Sequence, residues 1–486
     1  MKIKILEVVL ISLLLVGIAI NVPRATSVVS KNKELNVPME YRTIQEAINV
    51  ANPGDIIRVS NGTYYERLAI TKDCLTLIGE NPNTTIIDGN QNGTVIKVSA
   101  NNVTITGFTI RRSGDGENGI FLYYSGNSTI VGNMIHNCYV GIRLHASCDN
   151  KIIENGIANN SDSGIILQVH TINTLISKNN ITSNRYVGIN VFAYADNNTI
   201  EENIITGNLY AGIHLYLASG NRVNRNILMR NDQGIRFVGH RATYNTISDN
   251  AIAENTYGID FWDDTSWHNI IYHNNIIDNT YQLYLESLRG NLTKNQWNNE
   301  ANEGNYWSDY EGEDIDSDGV GETNTPHLDV DSYPLANPEG PIPVISDGQL
   351  YQITIRSNSV LSRFLFNQAS KEIDFKIIGP ASTMTHCNIT IPKGLLSPAT
   401  SQSWALLLDG ANLGIIVTEN ATFTSLYFAH NQSAHTHVIK IKLETNVNPI
   451  FYGIGMAIAL ILATGMAIVL IALKQKRKNQ RSNVCR

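Results

Sequence analysis

The chain has 486 residues, a formal net charge of −7 and only 16% charged residues, which argues against a nucleic-acid partner. Its five cysteines (Cys74, Cys138, Cys148, Cys387 and Cys485) form no C-x-x-C pair or disulfide framework; Cys138 and Cys148 either pair or stay as thiols. Asn, Ser and Thr carry much of the polarity, and about a dozen Asn-x-Ser/Thr sequons, including Asn61, Asn127, Asn197, Asn291, Asn388 and Asn420, suit a glycosylated surface protein, although so Asn-rich a chain makes many by chance.

The chain opens Met1-Lys2-Ile3-Lys4, then runs apolar from Ile5 to Val22, broken only by Glu7, Ser12 and Asn21. With a small-residue site near Ala25, residues 1–26 read as a secretory signal, an uncleaved anchor being the alternative. Residues 28–39 form a polar lead-in. Thr43-Ile44-Gln45-Glu46 is a capping box, and Ile44, Ala47, Ile48 and Ala51 fall on one face of a short helix stopped by Pro53-Gly54. Such a helix suits the open end of a stacked-strand body, where it would shield an edge. Short strands follow over 54–59, 62–66 and 75–80.

From about Asn101 to Asn299 the sequence repeats itself. A Gly-Ile pair recurs at 119, 141, 164, 188, 212, 234 and 258, roughly every 22–24 residues, a solenoid period. Paired asparagines precede the glycines from Gly141 on, as Asn133/Asn137, Asn155/Asn159, Asn180/Asn184, Asn203/Asn208, Asn226/Asn231 and Asn250/Asn255. The fading last round keeps Asn275/Asn279 but has Gln282-Leu283 where Gly-Ile is expected. Between them lie strands of a few residues with period two, separated by Asn/Gly/Ser corners. Asn and Gly tolerate left-handed corners, and stacked asparagines can bond along the axis. No helical period and no leucine-rich pattern appears.

The repeats resemble the right-handed parallel β-helix of the pectate-lyase-like superfamily, in its NosD-like, carbohydrate-binding and sugar-hydrolase branch. Thr43-Ile44-Gln45 to Leu77-Ile78-Gly79 resembles the first coils of NosD-like and pectin-esterase-like proteins. Gly304-Asn305-Tyr306-Trp307-Ser308-Asp309-Tyr310 resembles the segment that closes NosD-like helices. The resemblance supplies the handedness and implies a sugar site along one sheet. The expected β-helix spans 40–335, with Trp297 and the 306–310 aromatics plugging its far end.

Asp314-Ile315-Asp316-Ser317-Asp318-Gly319-Val320 matches the start of an EF-hand loop. Asp314, Asp316 and Asp318, the Val320 carbonyl and Glu322 are the expected ligands of a structural calcium ion. Thr325 stands where a bidentate Glu is usual, so Asp329 or Asp331 would substitute or affinity would fall. The bland alternative is a solvated acidic turn. Residues 336–346, rich in Pro and Gly, read as a linker, and alternating runs over 347–447 as a membrane-proximal antiparallel β-sandwich. Within it, His430, His435 and His437 include a His-x-His pair on one strand face. Residues 450–473 are uncharged and long enough to cross a bilayer, and the basic tail 474–486 follows, so the tail is expected in the cytoplasm and the bulk of the chain outside. The expected fold is therefore all-β: one β-helix, a small sandwich and a C-terminal transmembrane helix.

In the strand after each Gly-Ile, one outward row reads Phe121, Arg143, Ile166, Asn190, His214, Arg236, Asp260, and the next reads Tyr123, His145, Gln168, Phe192, Tyr216, Val238, Trp262. Rings stacking on pyranose faces beside polar groups that read hydroxyls would make Tyr123, Arg143, His145, Phe192, Tyr216 and Trp262 a floor for a polysaccharide. The same face filled by bulky strand formers is the alternative. For catalysis, His214 and Arg236 offer a base and a charge neutraliser for a uronate, with Asp260, Asp263 and Asp264 as nearby acids; a glycoside hydrolase needs paired carboxylates about 5–9.5 Å apart. Two functions follow, a membrane-anchored glycan-binding or stalk protein and a polysaccharide lyase, epimerase or hydrolase. The resemblance to NosD-like proteins implies a third, an accessory protein for copper-enzyme maturation, ranked last because the histidines are scattered and no Met/His cluster appears.

Overall fold

The computed structural model describes residues 32–286, 292–432 and 435–445. The expected signal, membrane span and basic tail lie outside these residues. Among the described residues, no helix is long and apolar enough to cross a membrane.

Each coil of the solenoid makes three short strands and adds one to each of three parallel sheets. Sheet A runs from Glu34–Val37 to Ile270–Tyr272, sheet B from Gly62–Tyr64 to Tyr306–Trp307, and sheet C from Leu68–Ile70 to Tyr281–Leu285; the described residues give them eleven, eleven and ten strands. The coils stack in strict register, as where Ile120 meets Ile142 and Ile142 meets Ile165. A three-residue strand points its central side chain inward. Ile152, Ile157 and Ile165, on sheets A, B and C, are each fully buried. Burying an isoleucine contributes roughly 1.5–3 kcal/mol, and every coil repeats the gain.

Asparagines close the corners. Asn133, Asn155, Asn179, Asn203, Asn226, Asn250, Asn274 and Asn305 form one buried line in which each Nδ2 donates to the next Oδ1 at 2.9–3.1 Å. The sequence places two members one residue late, at Asn180 and Asn275, because both begin strands of their own beside the true corner. Asn137 and Asn159 take the left-handed conformation, with φ of 55°. The glycine of each Gly-Ile serves another purpose. A Cβ on Gly141 would stand 2.5 Å from the Gly164 carbonyl oxygen and 3.0 Å from Asn160 Nδ2, so close stacking demands the missing side chain.

Both ends are covered. The helix Ile44–Val50 carries the full Thr43/Glu46 capping box and buries Ile44, Ala47 and Ile48 against the first coils. The polar lead-in is a correction: Glu34–Val37 pairs in parallel with Ile56–Val59 as the first strand of sheet A. At the far end Trp297, Tyr306, Trp307 and Tyr310 are buried. Asp331, also buried, accepts from Asn305 N and Trp307 Nε1 at 2.8 Å each, so it braces this plug and is not spare for the acidic loop.

Two five-stranded antiparallel sheets follow and share one apolar core containing Ile355, Phe375, Ile389, Phe428 and Ile439. The stretch read as a linker already holds their first strand, Ile342–Ser346, which pairs with Gln349–Ser357 at the start of the expected sandwich. Met229, Ala253 and Ile277, outward residues of sheet B, belong to the same apolar cluster. The second domain thus packs on sheet B, and on sheet C its residues Arg363, Phe364 and Leu365 come near the last strand, Tyr281–Leu285.

Candidate functional site

Sheet C brings the predicted outward row into line, Phe121 beside Arg143, Ile166, Asn190, His214, Arg236 and Asp260 in adjacent coils, and Tyr284, which the row did not include, continues it. Alternation gave their direction but not their cover. Asn190, His214, Arg236 and Asp260 are 7%, 6%, 5% and 1% exposed, so the expected open polar floor is corrected to a buried one. The cover is aromatic. Tyr186 and Tyr210, two residues before successive glycines, stack at 4.7 Å on one side, and Phe192 and Tyr216 stack at 4.7 Å on the other.

Between these walls lies a cleft of about 580 Å³ lined by Tyr186, Tyr210, His214, Tyr216, Arg236 and Trp262, with His240 and Asp263 at its rim. The Arg236 guanidinium sits 5.2 Å from the Tyr210 ring centre and 4.8 Å from that of Trp262, and holds Asp260 at 2.6 Å and Glu286 at 3.1 Å. Burial lifts Asp260 to about 6; Arg236 opposes the shift, and Glu286 and Asp232 add to it. His214 lacks a hydrogen-bond partner on either nitrogen. Burial, then the nearby Arg236 charge, push it down to about 4, so the imidazole is neutral near pH 7.

The other predicted residues divide. Tyr123 and His145 stack at 5.4 Å, and Lys97 lies 5.0 Å from the Tyr123 ring centre, so this part of the second row forms its own aromatic patch nearer the start of the rod. Arg143 is half-buried with Nε unpartnered, its pKa lowered by burial against the pull of Asp162 and Glu117. Asp263 is occupied locally, accepting from the Thr265 amide at 2.9 Å. The Asp264 carbonyl accepts from Trp267 Nε1. Sequence reasoning missed Tyr186, Tyr210 and Glu286. A tyrosine two residues before Gly in consecutive repeats was the available signal for the first two.

The acidic loop gathers as its spacing predicts: single carboxylate oxygens of Asp314, Asp316, Asp318 and Glu322 lie within 4.8 Å of one another. A second such group, Asp249, His273 and Glu339, was not foreseen, since Glu339 arrives from the segment after the solenoid. The three sandwich histidines do not converge. His430 and His437 rings are 5.0 Å apart, with His437 on Asp409 at 2.6 Å, while exposed His435 turns to Glu313.

A model of the family described as periplasmic copper-binding protein (NosD) matches residues 173–312, and one of the right-handed β-helix region matches 48–200. The solenoid is a NosD-like right-handed β-helix. A cell surface glycoprotein of Methanothermus fervidus is 36% identical over 110 residues, which make up 22% of this chain and 18% of that protein; the chain thus matches less than a fifth of that relative's length. Among solved structures, pectate lyase Pel9A is 16% identical over 52% of this chain and 73% of its own, with a TM-score of 0.42. Xylose-bound XylC is 12% identical over 52% and 70%, with a TM-score of 0.46. The copper in the first description asks for imidazole or sulfur donors. The two gathered groups offer carboxylates with at most one imidazole, and the paired histidines 430 and 437 are only two, so these sets do not fit copper.

Proposed function

We propose that this NosD-like β-helix is an extracellular glycan-binding protein, held at the membrane by residues 450–473, whose sheet C presents the cleft around Trp262 to a polysaccharide. The observation that carries the reading is the pair of aromatic ladders, Tyr186/Tyr210 and Phe192/Tyr216, each spaced by the rise of one coil and flanking a buried polar row. Trp262, Tyr186 and Phe192 are 46%, 40% and 39% exposed, so their faces are free to stack on sugar rings. The relative named as a cell surface glycoprotein, the periplasmic family description and the sequons support the extracellular setting.

A lyase or epimerase acting on a uronate is the second reading, favoured by the Asp260 carboxyl held near 6 beside Arg236. It is the weaker one because His214 lies beneath the ring walls with no group to orient it, and Arg236 is already engaged by two carboxylates. The test incubates the full chain with neutral and uronate polysaccharides and follows both retention and shortened or unsaturated products. Retention without products, lost in Tyr216→Ala/Trp262→Ala, is expected. Unchanged retention in that variant would overturn the choice of face. Products that vanish in His214→Ala/Arg236→Ala would establish the second reading.

A further inference from the structure

We propose that the loop from Asp314 to Glu322 binds a single calcium ion and that this ion locks the second domain onto the end of the β-helix. The proposal is independent of the glycan reading.

The four carboxylates of the loop are a cluster of like charge, and no lysine or arginine among the described residues pairs with any of them. Such a cluster on its own surface would mean little. Here Asp314 is only 5% exposed, and its Oδ1 is buried with no hydrogen-bond partner while Oδ2 accepts from the Gly319 amide at 3.1 Å. A buried, unpartnered carboxylate oxygen is costly unless something positive meets it. Asp316, Asp318 and Glu322 bring their oxygens to the same place from the exposed side. Oxygen-only donors with one carboxylate each suit a hard cation of adaptable geometry, which is calcium before magnesium. Gly319 allows the bend: its φ is +96°.

The loop stands at the joint. The Gly319 carbonyl accepts from Ala336 N at 2.9 Å, and the Ala336 carbonyl accepts from Leu361 N at 2.8 Å, which carries the connection from the loop into a strand of the second domain. At the loop's base the Glu322 amide donates to the Glu313 carbonyl at 2.9 Å. Glu311, just before it, holds Arg363 at 2.8 Å and Lys376 at 2.7 Å, and Glu313 pairs with His435. These three partners all belong to the second domain. Closing the loop on an ion fixes the turn between its two arms, and the arms carry every one of these contacts. Without the ion, repulsion among four carboxylates pushes the turn apart and loosens the joint.

The test uses the full chain, stripped with chelator and titrated with calcium alone or magnesium alone by calorimetry, while hydrogen exchange is followed at 308–313 and 360–363. One calcium per chain is expected, with Kd of about 10⁻⁴–10⁻³ M, the range of extracellular modules. Free calcium at ten times Kd should slow exchange at both segments about tenfold. Asp316→Asn/Asp318→Asn changes only exposed side chains and should abolish both effects with the fold intact; Asp314→Asn should do the same. Absence of calcium binding at millimolar concentration, or binding equal in the exposed double variant, would overturn the site. Saturable binding that leaves exchange at 308–313 and 360–363 unchanged would overturn the lock.

Discussion

The burial of His214 has a measurable cost on the acid side. In an unfolded chain this imidazole titrates near 6.5, whereas in the folded protein burial and the adjacent Arg236 push it down to about 4. A depressed folded value contributes stability that is fully present above 6.5 and lost as pH falls towards 4, because the unfolded chain takes up a proton that the folded one refuses. At about 1.4 kcal/mol for each pH unit between those values, the loss grows to about 2 kcal/mol at pH 5 and about 3 kcal/mol near pH 4. Asp260 acts in the opposite direction: its folded value is raised to about 6, so its contribution is present below 3.8 and lost as pH rises through 6. The wild-type profile therefore mixes two slopes. His214→Phe keeps a ring between Tyr210 and Tyr216, whose centres lie 6.0 and 5.9 Å from that of His214, and removes only one slope. Urea unfolding of both proteins from pH 4.5 to 7.5 gives the difference, in which Asp260 cancels. The variant should gain on wild type steadily below pH 6.5. A difference flat to within about 0.5 kcal/mol across that range would mean that His214 protonates freely, and the buried-floor description would fail.

Three further outcomes follow from the packing. Asn203→Ala removes an amide that accepts from Asn179 N and Asn179 Nδ2, both at 2.9 Å, and donates to Ile176 O, Glu201 O and Asn226; unfolding should be easier by about 3–5 kcal/mol, with exchange rising first in the flanking coils. Gly188→Ala sets a methyl 2.7 Å from the Gly212 carbonyl oxygen and 2.6 Å from an Ile205 methyl, which should cost about 1–3 kcal/mol in a denaturant titration. Asp331→Ala leaves the buried Trp307 Nε1 and the Asn305 amide without an acceptor; about 3 kcal/mol should be lost, and tryptophan fluorescence should report the plug opening before the rest of the rod.

Much of the fold was legible because a solenoid writes its geometry once per coil. The isoleucine after each glycine points inward wherever the pair occurs, and Thr43 with Glu46 announces the covering helix. What alternation cannot supply is what lies over an outward side chain. His214 and Arg236 do leave the sheet on its outer face, but Tyr210 from the preceding corner and Trp262 from the following coil fold over them, and these contacts cross coils. The sandwich was expected, but its docking on the solenoid was missed for a related reason. Met229, Ala253 and Ile277 are apolar where sheet B's outer face should be polar, and that stripe was the only hint of a covering partner. The clustering of the acidic loop was readable because its carboxylates sit at fixed offsets in one short segment, whereas Glu339 reaches His273 from 66 residues away and no spacing rule anticipates it.

The corner asparagines have an electrical consequence. In the line from Asn133 to Asn305 every asparagine-to-asparagine bond runs the same way, each Oδ1 accepting from the coil before and each Nδ2 donating to the coil after, while Nδ2 also donates to a backbone carbonyl. Aligned amide dipoles add, as they do along an α-helix, so the line carries partial positive charge at its last member and partial negative charge at its first. The last member, Asn305, delivers its Nδ2 to the Asp331 carboxylate at 3.3 Å, placing a full negative charge at the positive pole. The molecule is therefore a polar rod whose two ends differ in potential as well as in shape. Coils added within the line would lengthen that dipole without altering either terminus.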